Sequence, residues 1–197
     1  NTVMKINLNK KIVVVGAGYW GTIIINTLYK LKYKNIYVVD KNKFNLKVIK
    51  KRFSKLNIYT NYLNLIKQNS LKIFLFATPP SVNYKLCKLA LLNKKDIFVE
   101  KPVVKKVSLL KKLINISKKK KCVFMTGYVY CFNDHIKYIK KIINQKKLGK
   151  ILYIDIQRKN LGPIRNDVSS SYDLTSHDLS ILLFLFNKSP KVINYNG

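Results

Sequence analysis

The sequence predicts an α/β protein: a doubly wound parallel sheet followed by the start of a second, α+β unit. Three observations carry that expectation. Short β-branched runs alternate with longer amphipathic stretches from Lys11 to Thr126, the pattern of a parallel sheet covered by helices on both faces. The first strand-to-helix junction is a glycine-rich turn, Gly16-Ala17-Gly18-Tyr19-Trp20-Gly21. Beyond Gly127 the rhythm changes, which places a boundary between residues 1–127 and 128–197.

Taken in order, Lys11 to Val15 reads as a buried strand and Tyr19 to Leu31 as a helix. Ile36 to Val39 is a second strand, followed by a helix over Phe44 to Phe53. Ile58 to Thr60 is a short edge strand, with a small helix over Tyr62 to Lys67. Lys72 to Ala77 is a fourth strand, stopped by Pro79 and Pro80. A helix from Val82 to Asn93 leads to a strand at Ile97 to Val99, and a helix from Ser108 to Lys119 leads to Cys122 to Thr126. Right-handed crossovers then give the doubly wound order.

In the second unit, Asp134 to Lys146 is helical, with Ile136, Ile139, Ile142 and Ile143 on one face. Asp134 is the expected cap, His135 a first-turn residue, and Gly149 the stop. Ile151 to Gln157 alternates as a strand covered on one face would. Lys159 to Tyr172 reads as a loop, Asp173 to Phe186 as a helix, and Val192 to Tyr195 as the beginning of a strand. These elements do not close a second sheet, so the expectation is a chain that stops short of a full C-terminal domain. The apolar helix face of Leu179 and Ile181 to Phe186 is then left partly uncovered.

Composition narrows the function. Hydrophobic residues make up 48%, enough for a core. The net charge of +31 points first to nucleic acid or an anionic membrane surface. Yet the arginines are only Arg52, Arg158 and Arg165, and the lysines are scattered over every segment rather than clustered in a stripe. Base and phosphate readers favour the bidentate arginine fork. The charge therefore reads as solvated lysine on many faces, with no specific nucleic-acid partner. No apolar run is long enough to span a membrane, and no signal peptide is visible. Cys87, Cys122 and Cys131 lack the paired spacing of a metal site. Cys87 and Cys122 read as small core residues in a reducing, cytoplasmic setting.

The glycine turn carries the chemistry. It follows a strand and opens a helix, and Asp40 ends the second strand at about the ~20-residue spacing of a dinucleotide fingerprint. Gly16 serves the tight turn, Gly18 lets the backbone approach a pyrophosphate, and Gly21 lets helix and strand pack closely. The helix start adds oriented N–H groups and partial positive charge. Asp40 would accept from the adenosine ribose hydroxyls, which favours NAD. Lys41 and Lys43 could instead hold a 2′-phosphate, so NADP stays open.

Three further segments follow in a fixed order: Ala77-Thr78-Pro79-Pro80, Glu100-Lys101-Pro102, and Asp173-x-x-x-His177-Asp178. With the glycine turn they resemble the Gfo/Idh/MocA oxidoreductases, from about Lys11 to the end of the chain. The wording Gly18-Tyr19-Trp20-Gly21, Lys147-Leu148-Gly149-Lys150 and Arg158-Lys159-Asn160-Leu161-Gly162 is similar to a branch linked to nucleotide-sugar or surface-polysaccharide metabolism. The resemblance implies an N-terminal Rossmann domain and a C-terminal α+β domain that builds a homo-oligomer. It implies cofactor contacts from Gly16, Gly18, Tyr19, Trp20, Gly21, Asp40, Thr78, Pro79, Glu100 and Lys101. It also implies that Lys101, Asp173 and His177 surround the reacting carbinol of a small sugar or nucleotide-sugar substrate.

Those residue types suit the reaction. Taking a hydride from a secondary alcohol requires its hydroxyl proton to leave, and histidine titrates where such a base must work. An ammonium such as Lys101 can hydrogen-bond the developing alkoxide. Asp173 and His177 are four apart, so on a helix they share a face and the carboxylate can orient the imidazole. Asp178 falls on another side of that helix and is left out of the set. Arg158 and Arg165 are candidates for a substrate diphosphate or carboxylate. No metal site is expected. The competing reading is a non-catalytic dinucleotide-binding regulator of the same fold, against which the intact Lys101, Asp173 and His177 argue.

Overall fold

A computed structural model describes residues 7–159 and 174–191. The chain divides into two compact units, Asn1–Gly127 and Tyr128–Gly197. The first holds six strands: β1 (Lys11–Val15), β2 (Asn35–Val39), β3 (Asn57–Tyr59), β4 (Ile73–Phe76), β5 (Asp96–Val99) and β6 (Phe124–Thr126). Between them run α1 (Tyr19–Lys30), α2 (Lys43–Arg52), the single turn α3 (Leu63–Ile66), α4 (Pro80–Leu92) and α5 (Val107–Lys120). The strands are parallel throughout, in the order β3-β2-β1-β4-β5-β6. This is the doubly wound Rossmann sheet expected from the alternation.

Strand side chains point alternately to the two faces, and the core divides accordingly. On one face Val13, Val15, Phe74, Phe76, Ile97 and Val99 pack with Cys87, Ala90, Leu91 and Leu113 from α4 and α5. On the other, Ile12, Val14, Ile36 and Val38 pack with Ile25, Leu28, Leu46 and Ile49 from α1 and α2. Runs such as Val13-Val14-Val15 are continuous rather than alternating because both faces are covered. Asn42 caps α2 by accepting from the Phe44 N–H, and α5 ends in Lys118, Lys119 and Lys120, where cations suit the helix dipole. One lysine departs from the solvated pattern. Lys95 is 1% exposed, donates to the Gln68 carbonyl at 2.8 Å and lies over the Phe74 ring.

The second unit contains a 3-10 turn (Val129–Phe132), α6 (Asp134–Asn144) and α7 (Ser176–Phe186). Three expectations are corrected here. Residues 151–157 form no strand: Leu152 is 82% and Tyr153 84% exposed, and no ladder reaches them among the described residues. Alternation marks a segment that could join a sheet, whereas a strand needs a partner for its backbone groups. The cap of α6 is Asn133, not Asp134. Its backbone is extended (φ −69°, ψ 132°) and its side chain accepts from the His135 and Ile136 N–H groups, while Asp134 is already helical. The chain also leaves α6 before Gly149, with Lys146 taking the left-handed conformation at φ 55°. The expected strand at Val192 to Tyr195 lies outside the described residues, as do Asp173 and Arg165.

Candidate functional site

In a doubly wound sheet, ligands bind beyond the carboxyl ends of the strands where the order reverses. Here that point lies between β1 and β4. β1 runs straight into Gly16, whose φ of +94° is a left-handed conformation suited to glycine. A Cβ there would lie 2.7 Å from the Ala77 carbonyl oxygen at the end of β4. A Cβ at Gly21 would collide with the Gly16 carbonyl itself. Gly18 differs from both, because a Cβ there would meet nothing within 4 Å. Two glycines are thus demanded by packing, and the third leaves open backbone at the mouth of the switch point. No side chain caps α1 and no acid stands in its first turn. The positive end of the helix therefore faces outward, as a pyrophosphate requires.

Asp40 closes the back of this turn. Its Oδ2 accepts from the Ala17 N–H at 2.8 Å and from Asn45 Nδ2 at 3.1 Å, and its Oδ1 accepts from the Asn42 N–H at 2.8 Å. A carboxylate offers about four acceptor positions, so one remains on Oδ1 for a ribose hydroxyl. Asp40 is thus a brace for the loop as well as a candidate ribose acceptor. Tyr19 and Trp20 stand exposed at the head of α1, at 78% and 48%, in an edge-on ring contact with each other.

The neighbouring strand ends complete the rim. Beyond β4, Thr78 makes a short hydrogen bond to Asn83 Oδ1, and Pro79-Pro80 starts α4 where a missing N–H costs nothing. Asn83 is fully buried, and its Nδ2 meets no acceptor among the described residues. Beyond β5, burial raises the Glu100 carboxyl above the usual range, opposed by the Lys101 backbone N–H and ammonium. Gly127, after β6, lies against it: a Cβ there would sit 2.9 Å from the Phe98 ring and 3.1 Å from both Glu100 carboxylate oxygens. The Lys101–Pro102 peptide bond is cis. The residues present fit a dinucleotide: open backbone at Gly18, an uncapped helix start and a braced carboxylate share one sheet edge.

The second unit brings His177 together with residues of the other segments. His177 opens α7, half-buried, with its ring 5.0 Å from that of Tyr130 at an interplanar angle of 80°. Tyr130 lies on the 3-10 turn. Arg158 places its guanidinium 5.1 Å from the Tyr130 ring centroid, and its Nη1 donates to the Tyr130 hydroxyl at 3.4 Å. Arg158 also grips Asp178, with Nε–Oδ1 at 2.8 Å, Nε–Oδ2 at 3.1 Å and Nη2–Oδ1 at 2.7 Å. Bonding to Asp178 first and to Tyr130 second holds the guanidinium charged. Asp178, set aside on sequence grounds, is therefore the partner of Arg158. Asn45, Asn83 and Tyr130 also had no place among the sequence's site candidates, and Gly127 entered only as a boundary. Of these, Asn83 alone carried a visible signal, as a polar residue one turn past the diproline.

A parallel sheet with an open glycine turn at its switch point defines a dinucleotide-binding Rossmann fold. The chain belongs to the GFO_IDH_MocA oxidoreductase family, whose NAD-binding Rossmann model matches residues 10–128. Myo-inositol 2-dehydrogenase of Thermotoga maritima is 22% identical over 193 residues, covering 95% of this chain and 58% of that protein. The crystal structure of an NAD-binding protein from Listeria innocua superposes with a TM-score of 0.81 at 22% identity, over 91% of this chain and 55% of that one. Scyllo-inositol dehydrogenase from Lactobacillus casei, solved with NAD(H) and scyllo-inositol, gives a TM-score of 0.74 at 17% identity, over 91% and 56%. At such identities the structures show the fold. The chain spans 52% to 58% of the length of the first curated relatives it matches.

Proposed function

We propose that this chain serves an oxidoreductase that moves a hydride between NAD(H) and a secondary alcohol of a sugar, with a nucleotide sugar as the finer expectation. The observation that carries the reading is the open Gly18 backbone at the switch point, braced from behind by Asp40. Bound NAD supplies the hydride acceptor. In the oxidising direction His177 takes the hydroxyl proton as the carbinol C–H leaves as hydride and the carbonyl forms. Lys101 hydrogen-bonds the oxygen on which charge develops. Asp173 orients the imidazole or holds a neighbouring hydroxyl. The inositol dehydrogenases among the relatives support a polyhydroxylated substrate. Arg158 is committed to Asp178 and Tyr130, which weakens it as a candidate for a substrate diphosphate.

The test is turnover with NAD and a panel of inositols, sugars and nucleotide sugars, beside titration with both reduced cofactors. His177→Ala and Lys101→Ala should each lower turnover by about two to four orders of magnitude, the range for a lost acid–base group. NADH affinity should stay unchanged in the His177 variant. Near-normal turnover in both variants would remove the catalytic assignment. Tighter binding of NADPH than NADH would remove the ribose role of Asp40. NADH binding without turnover on any substrate would favour the regulator.

A further inference from the structure

We propose that Tyr130, Arg158 and Asp178 form a positioning clamp for the His177 imidazole, holding its ring without touching the reacting atoms. The inference rests on reading His177 as the proton acceptor. Such a group must be held within about 0.5 Å and 10–20° of its working geometry by neighbours that are themselves locked.

His177 lies in the first turn of α7, its ring 5.0 Å from that of Tyr130 and roughly perpendicular to it. Tyr130 sits on a four-residue 3-10 turn, an element whose own hydrogen bonds are poor. Something else must fix that ring, and Arg158 does so twice, over its face and at its hydroxyl. Arg158 in turn lies in a segment with no ladder to hold it among the described residues. Its place is set by the fork onto Asp178, and both side chains are 20% exposed. Asp178 immediately follows His177 on the same helix. The contacts therefore close a circuit: α7 to Tyr130 through His177, Tyr130 to Arg158, and Arg158 back to α7 through Asp178. Three chain segments are tied at the residue whose orientation matters.

The circuit also explains the residue types. A planar guanidinium can stack on an aromatic ring while forking a carboxylate in its own plane, and a lysine ammonium cannot do both. Three of the contacts drawn from its fork go to Asp178 and one to Tyr130. Arg158 acts here through Tyr130, as a positioning residue.

The test uses the 197-residue chain labelled with ring-¹³C histidine. It contains two histidines, His135 and His177, so a His177→Gln variant assigns both signals. His135 on α6, in the same unit, reports whether that unit is folded. The wild type should show His177 ring protons displaced by the Tyr130 ring current, with an Overhauser contact between the two rings. Tyr130→Leu should abolish that displacement, and Tyr130→Phe should keep most of it. Arg158→Met and Asp178→Asn should each move or broaden the His177 signals, and Arg158→Lys should recover them only in part. Unmoved His177 signals in Arg158→Met and Asp178→Asn, with His135 unchanged, overturn the clamp. Should those variants unfold the unit, absence of the His177–Tyr130 contact in the wild type overturns it alone. NADH affinity should be unchanged throughout. Full turnover in His177→Ala, with the ring signature present in the wild type, would instead sink the proton-acceptor role and leave the clamp standing.

Discussion

The two units hold their candidate functional residues by different physics. In the first, the site is backbone: two glycines packed against carbonyls, a third left open, and strand ends fixed by a sheet buried on both faces. In the second it is side chains, tied by a forked ion pair and ring contacts on short elements. The burial differs to match. Among the described residues, the buried hydrophobics come from the first unit except Leu185, and α6 buries none of its residues fully. A backbone site inherits the stiffness of the core beneath it, whereas a side-chain site needs its own bracing.

The first expected effect breaks the backbone site. Gly21→Ala drives a Cβ into the Gly16 carbonyl, so the turn must move. NADH affinity should fall more than tenfold, about 1.4 kcal/mol or beyond, with a lowered melting temperature. Gly18→Ala should separate the two roles of the glycines. Its φ of −72° suits alanine and its surroundings are empty, so melting should hardly change while NADH affinity falls. Equal melting losses in both variants would show that Gly18 is structural rather than an approach point.

The next effect compares the units through stability. Phe74 is fully buried at the centre of the sheet, and Phe74→Ala should cost about 3–5 kcal/mol, the usual range for an aromatic cavity. Tyr153 is 84% exposed on a segment that no ladder reaches among the described residues, and Tyr153→Ser should stay within about 0.5 kcal/mol. Denaturant unfolding followed by circular dichroism measures both. A large loss at Tyr153 would mean that this segment is covered after all.

The same contrast decides what the sequence could reveal. Strand and helix order in the first unit rests on local signals: β-branched runs, a diproline stop and a glycine turn with an acid one strand later. Each is visible within a short window. The Arg158–Asp178 pair spans 20 residues and the Cys131–Ser180 contact 49, and no local periodicity encodes such pairings. Choosing Asp134 over Asn133 as the cap failed because two capping residues stand side by side, and only the backbone angles separate them. The alternation at 151–157 misled for the opposite reason: the local signal was sound, but a strand is a relation between two segments.

The smallest effect is chemical. Cys87 is fully buried on α4, and burial pushes its thiol up to about 12. Burial also raises Cys122, with Asp96 adding to it. In the second unit Cys131 is half-buried, its Sγ 3.7 Å from the Ser180 carbonyl. Thiolate is the reactive form, so iodoacetamide at pH 8 should label Cys131 first and Cys87 last. The folded-state pKa of Cys87 lies above its unfolded value of 9.0. Its contribution to stability is therefore fully present below about pH 8 and is progressively lost as the pH climbs from 9 towards 12, because only the unfolded chain releases the proton. Peptide mass mapping after timed alkylation reads the order directly. Labelling of Cys87 as fast as Cys131 in the folded chain would mean that α4 opens readily and that the first unit is not the stiffer of the two.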